Sequence, residues 1–337
     1  MPASAPDPQL VSPPCATPGG RVAICGRRLF DDRVPDVTLD DVRAHVTAAR
    51  HDRLVVQVPR ACEGGVVRVR VGSGEHAELR LTVGRLLATG LHQVDNPAYD
   101  RQGRLYLTYS GARGQEVPVS IFRVAPGAAR ESYSSAVVNP TSMAIGPDGH
   151  LYVSSRFEGS VYRVADDGTA TPVVTDAGVA CGLAFDAAGT LFVGDRSGTI
   201  LRAGEAGRLT PVATLPPSVA AFHLAMGPDG WVYVTAPTLR SADRVYRVHP
   251  DGRVDVVHSG FGRPQGLAFD AAGRLYVTEA LAGASGLFRL PAGGAEELVI
   301  SGDGLLGVAF GPAGTCVVCS NDSAWHFDEA LLPIPAG

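Results

Sequence analysis

Ser142-Met-Ala-Ile-Gly-Pro-Asp-Gly-His-Leu-Tyr-Val153 is a phrase that the chain repeats. It returns as Gly182-Leu-Ala-Phe-Asp-Ala-Ala-Gly-Thr-Leu-Phe-Val193 and as His223-Leu-Ala-Met-Gly-Pro-Asp-Gly-Trp-Val-Tyr-Val234. A more diverged copy begins at Asn96, and two others begin at Gly266 and Gly307. The turn glycines Gly103, Gly149, Gly189, Gly230, Gly273 and Gly314 recur every 40 to 46 residues. A period of this size means that one supersecondary unit is copied and stacked. In the copy at Ser142 four short runs are Met143-Ala-Ile, Leu151-Tyr-Val, Val161-Tyr-Arg-Val and Thr171-Pro-Val-Val. Runs rich in Val, Tyr and Ile between Asp-Gly or Ala-Gly turns read as antiparallel strands joined by hairpins. Four strands per copy make a propeller blade, and six copies predict six blades.

The last copy lacks an obvious fourth strand. Arg85-Leu-Leu-Ala-Thr, just ahead of the first copy, matches the fourth strand Pro211-Val-Ala-Thr, so 85–89 is expected to complete the last blade. Closure would leave no open sheet edge. Ala330-Leu-Leu-Pro-Ile is the alternative, weakened by its proline. Arg123, Arg163, Arg202, Arg247, Arg289 and His326 hold equivalent positions in the third strands. Period-2 alternation makes them a solvated face rather than a ring for nucleic acid, and the net charge of −5 also argues against a nucleic-acid partner.

Residues 1–83 carry no copy of the phrase. Arg21-Val-Ala-Ile-Cys, Leu54-Val-Val-Gln-Val, Val66-Val-Arg-Val-Arg-Val and Glu78-Leu-Arg-Leu-Thr-Val read as short strands of a small sandwich. Val11-Ser-Pro-Pro, Pro18-Gly-Gly, Ile24-Cys-Gly with Phe30, and Val56-Gln-Val-Pro resemble an IPT/TIG domain, an immunoglobulin-like sandwich. That resemblance implies a spacer or an interaction module. The expected organisation is therefore all-β, with a sandwich over 1–83 and a propeller over 84–337.

The composition, with 45% hydrophobic and 19% charged residues, is that of a globular chain. No 18-residue apolar run is present, so no membrane span is expected. The start shows no basic-then-apolar signal, so a cytoplasmic location is favoured, a trimmed leader being the alternative. Cys316-Val-Val-Cys319 could be a redox or zinc half-site. Residues three apart on a strand face opposite ways, which favours two small core side chains instead. Cys15, Cys25 and Cys62 could include one disulfide, with the pairing open.

In a propeller, the loops that enter each first strand and those that join strands two and three open on one face, where binding residues collect. The residues just before each phrase are Asp95, Thr141, Cys181, Phe222, Gln265 and Leu306. The phrase itself starts with Asn96, Ser142 or His223 in three copies and with glycine in the others. The strand two-to-three loops add Arg113, Arg156, Arg196, Arg240 and Glu279. Candidate ligand-binding residues are thus Asn96, Thr141, Ser142, Arg156, Arg196, Phe222, Arg240 and Gln265. His223 is the candidate base, with Asp95 or Glu279 as its partner.

The repeat resembles NHL propellers and the SMP-30/gluconolactonase group across 84–330. The latter resemblance implies a lactonase-type hydrolase with a divalent cation, calcium, held by oxygen ligands just before the phrase. Asp95 is the one carboxylate at those six positions. The leading expectation is a non-catalytic binding or scaffold protein that engages a partner protein and takes a small ligand at the channel mouth. The alternative is a lactonase-like hydrolase acting at that mouth.

Overall fold

A computed structural model of the chain describes residues 6–72, 78–93, 96–281 and 285–328. It is all-β, with two single-turn 3-10 segments the only helices among the described residues. No helix among the described residues is long and apolar enough to cross a membrane.

The Asp-Gly and Ala-Gly turns do what their composition predicts. Gly149, Gly189, Gly230 and Gly273 each adopt positive φ, a conformation that costs glycine no steric penalty. The copy at Ser142 forms the meander Pro140–Ile145, Leu151–Ser155, Ser160–Val164 and Ala170–Val174. The copies at Asn96, Gly182 and His223 form equivalent four-stranded sheets. Gly307–Phe310, Cys316–Cys319 and Ser323–Phe327 form the last, and Arg85–Thr89 completes it, with Thr89 opposite Ser323 and Ala88 opposite Ala324. The expected closing strand is therefore the one used; the alternative at 330–334 lies outside the described residues.

Five four-stranded sheets stand as separate blades, against the six expected. The copy at Gly266 keeps the meander Pro264–Phe269, Leu275–Glu279, Gly286–Leu290 and Glu297–Ser301 but does not end there. Its outer strand pairs in parallel with Cys15–Ala16, which pairs in parallel with Leu79–Val83. One twelve-stranded sheet results, joining this copy to the N-terminal strands. Those strands run Asp7–Ser12, Arg21–Arg27, Arg53–Gln57, Val42–Arg50, then Val37–Leu39, Gly65–Val71, Leu79–Val83 and Cys15–Ala16. They enclose one core that includes Val22, Ile24, Leu54, Val56, Val69 and Leu81. The pairing is continuous with a blade, so it does not show a self-contained IPT/TIG or immunoglobulin-like domain.

Neighbouring repeats share apolar clusters, and the last packs on the first: Leu105 and Leu107 lie with Val317, Cys319 and Ala88. A hydroxyl near the end of the second strand adds a polar tie. Ser154 donates to the Cys181 carbonyl at 2.5 Å, Thr278 to the Leu306 carbonyl at 2.9 Å and Thr235 to the Gln265 carbonyl. Each tie reaches the next repeat at the residue just before its phrase. The third blade has Gly194 at this position, and the Phe222 ring occupies the space that a Cβ would need. Cys316 and Cys319 enter different clusters, one beside Tyr276 and Phe327 and the other beside Leu105, as alternation predicts. No disulfide joins any of the six cysteines. Four of the five third-strand arginines are held by carboxylates: Arg123 by Glu131, Arg163 by Asp148, Arg247 by Asp255 and Arg289 by Glu297.

Thr278 also donates to the Gly266 carbonyl. Thr278→Val keeps the shape but leaves two buried carbonyls without that donor. It should lower unfolding free energy by about 1–3 kcal/mol, measured by denaturant titration. An unchanged midpoint would contradict the polar tie.

Candidate functional site

The ties hold Cys181, Gln265 and Leu306, each just before a phrase. Thr141, Cys181, Ala221, Gln265 and Leu306 line a pocket of about 550 Å3. That volume suits a small ligand. Loop residues Arg156, Arg196 and Arg263 line the same pocket, with Gln93 and Asn321. Three arginines thus line one pocket, and no described residue lining it is a carboxylate. None of the three side chains makes an ion pair among the described residues. The positive field is felt nearby: burial, then the charge of Arg156, lowers the pKa of His92 below its ordinary value. Gln93 has positive φ and a buried side-chain oxygen with no hydrogen-bond partner among the described residues.

Of the residues expected from sequence, Thr141, Arg156, Arg196 and Gln265 meet at this pocket. Asn96 and Ser142 lie in the seams. The Asn96 amide donates to Ser142 Oγ at 2.9 Å, and Ser142 Oγ also accepts from the Leu183 amide at 3.2 Å. Phe222 is fully buried, and Ala221 takes its place at the pocket. Arg240 is exposed on its loop, its backbone amide bonded to the Thr238 hydroxyl. Asp95 lies outside the described residues.

Glu279 ends a second strand, and its carboxylate accepts the backbone amides of Arg263 and Leu281. Asp195 does the same for Val179. These acids staple the loop entering the first strand to the loop leaving the second. The staple aims the Arg263 loop at the pocket, which sequence reasoning missed. The available signal was an acid at the end of a second strand: Asp195 and Glu279 share that place in the phrase.

His223 is 1% exposed and hydrogen-bonds Gln265, while its Nε2 has no partner among the described residues. Burial lowers its pKa to about 4, partly offset by Gln265. It is neutral at neutral pH and stands behind Gln265 rather than on the pocket wall.

The described residues of the wall do not fit a calcium ion. Hard cations need several oxygen ligands, preferably carboxylates. The described wall supplies a hydroxyl and amides among three arginines, and no cluster of three His, Cys, Asp or Glu suited to a metal occurs among the described residues.

No protein-family model and no curated protein matches the chain. Solved structures match its fold at low identity. A protein provisionally assigned as a gluconolactonase is 17% identical, with a TM-score of 0.59 over 73% of this chain and 91% of its own. An auxiliary nutrient binding protein from Bacteroides ovatus is 15% identical, with a TM-score of 0.55 over 97% and 99%. A catalytically inactive virginiamycin B lyase from Staphylococcus aureus, crystallised with quinupristin, is 13% identical, with a TM-score of 0.51 over 97% and 96%. Identities this low establish the propeller fold alone.

The buried histidine sets a pH dependence. Its folded pKa lies below the unfolded value of about 6.5, so the unfolded chain binds the extra proton between those limits. Stability should be full above about pH 6.5 and fall as the pH drops toward 4. Denaturant titrations across this window should show a smaller acid-side loss in His223→Gln. Equal slopes in the two proteins would contradict a neutral buried His223.

Proposed function

We propose that this chain is a binding protein whose channel mouth takes a small anion carrying hydrogen-bonding groups. The observation behind this reading is that Arg156, Arg196 and Arg263 line one pocket with no described carboxylate. Charge-assisted hydrogen bonds from guanidinium to carboxylate are among the stronger ones available, and arginine favours them geometrically. The unpartnered Gln93 oxygen adds an acceptor for a ligand hydroxyl. The nutrient-binding description of the Bacteroides ovatus neighbour belongs to the same class, though likeness at this identity supports fold only.

A partner protein would dock on the same face. Phe157, Val219, Leu239 and Leu281 are exposed on the loops around the mouth, and Leu239 is 89% exposed. Exposed apolar groups clustered near a pocket favour association. We read residues 1–83 as an IPT/TIG-like sandwich and the six repeats over 84–337 as one closed ring. Support comes from the strand order, in which Asp7–Ser12, Arg21–Arg27, Arg53–Gln57 and Val42–Arg50 pair in turn and contribute to the N-terminal core. The parallel strand Cys15–Ala16 would make this unit a brace on the ring.

Calorimetry with D-gluconate against the neutral D-glucitol tests the mouth. Gluconate should bind and glucitol should not. Arg196→Ala and Arg263→Ala should each weaken gluconate binding roughly tenfold, and the affinity should fall with added salt. Equal binding of the two compounds, or no loss in either variant, would refute the reading. Turnover of gluconolactone dependent on bound calcium would support a hydrolase instead.

A further inference from the structure

At three seams the turn between strands three and four presses on the preceding blade. A Cβ on Gly168 would lie 2.1 Å from the Tyr133 carbonyl oxygen, one on Gly207 2.3 Å from that of Val173, and one on Gly252 2.5 Å from that of Val212. Only glycine allows such an approach. The copy at Gly266 breaks this rule. Its turn closes from Gly294 N–H to the Pro291 carbonyl, as the others do. Yet Gly293 faces open space, and Gly294 meets only Pro291 of its own turn. The turn stands off the outer strand Val254–Phe261, and a cleft of about 670 Å3 opens between them. Its walls come from turns at the opposite ends of the strands from the channel mouth.

The wall is largely apolar, with Val257, Phe269, Leu275 and Leu290. Two of the lining residues each carry a buried polar atom without a hydrogen-bond partner among the described residues, Arg289 at Nε and His258 at Nε2. The Arg289 side chain is 10% exposed, and its terminal nitrogen pairs with Glu297. Glu296 stands 3.6 Å from His258 Nε2. Arg247 and Arg274, also on the wall, pair with Asp255 and Asp270. Arg289 therefore keeps a donor that is buried, charged and unused. Leaving such a group unsatisfied is costly, and an acceptor supplied by a ligand removes that cost.

We infer that this cleft is a second binding site, separate from the mouth, for a small apolar carboxylate. The carboxylate accepts from Arg289 Nε, and the hydrocarbon body lies against Val257, Phe269, Leu275 and Leu290. The inference stands whether or not the mouth binds an anion.

The test uses the full chain and the fluorescent probe anilinonaphthalene sulfonate, displaced by decanoate or by decan-1-ol. One probe should bind per chain. Decanoate should displace it at least tenfold more effectively than the alcohol. Arg289→Met should weaken decanoate about tenfold and leave the alcohol unchanged. Val257→Trp, which fills the cleft from an outer strand, should abolish probe binding, and Arg196→Ala at the mouth should alter neither. Equal displacement by acid and alcohol would overturn the carboxylate assignment. Probe binding that survives Val257→Trp, or is lost in Arg196→Ala, would overturn the site. Should Arg289→Met fail to fold, the acid-to-alcohol comparison and Val257→Trp decide.

Discussion

The pairing of Arg85–Thr89 with Ser323–Phe327 is the constraint on which the rest depends. A row of blades has two exposed edges and no fixed curvature. Supplying the outer strand of the last blade from ahead of the first fixes both ends in one sheet. Ala88 and Ala324 are small and buried at this junction, so the first and last repeats can pack on each other through Leu105, Leu107, Val317 and Cys319. With the ring closed, Thr141, Cys181, Gln265 and Leu306, each just before a phrase, line the pocket at the axis. The hydroxyls of Ser154, Thr235 and Thr278 then hold the last three by their carbonyls. Their side chains are left for other use, and that is how a stacking device yields a pocket.

The N-terminal strands belong to the same argument. Cys15–Ala16 lies between Leu79–Val83 and the outer strand Glu297–Ser301. The copy that accepts it is also the one whose turn stands off its neighbour. The brace and the open cleft meet the same outer strand, the brace at Ile300 and Ser301 and the cleft at Glu297. Among the described residues, it alone of the repeats carries an outer strand paired on both sides.

Much of this was legible in the residues. The phrase and its glycines predict the strands, and Arg85-Leu-Leu-Ala-Thr predicts the closure. Register predicts Thr141, Cys181, Gln265 and Leu306 at the mouth, because period and position suffice for backbone placement. Other features needed three dimensions. Glu279 reads as a reactive acid in a loop, whereas its oxygens are taken by two backbone amides. His223 reads as a mouth residue, but the strand turns it inward behind Gln265. Arg263 carries no motif; a staple from a residue sixteen positions later points it at the pocket. The blade count also differs, since no local pattern shows that Cys15-Ala16 extends a distant sheet.

The central claim is that the mouth is a site for anions built on a closed ring. Soaking crystals in bromide tests it most directly, because the anomalous signal reports position and charge preference together. The account predicts a bromide within hydrogen-bonding reach of Arg156, Arg196 or Arg263. A mouth without bromide that instead fills with calcium when calcium is supplied would contradict it.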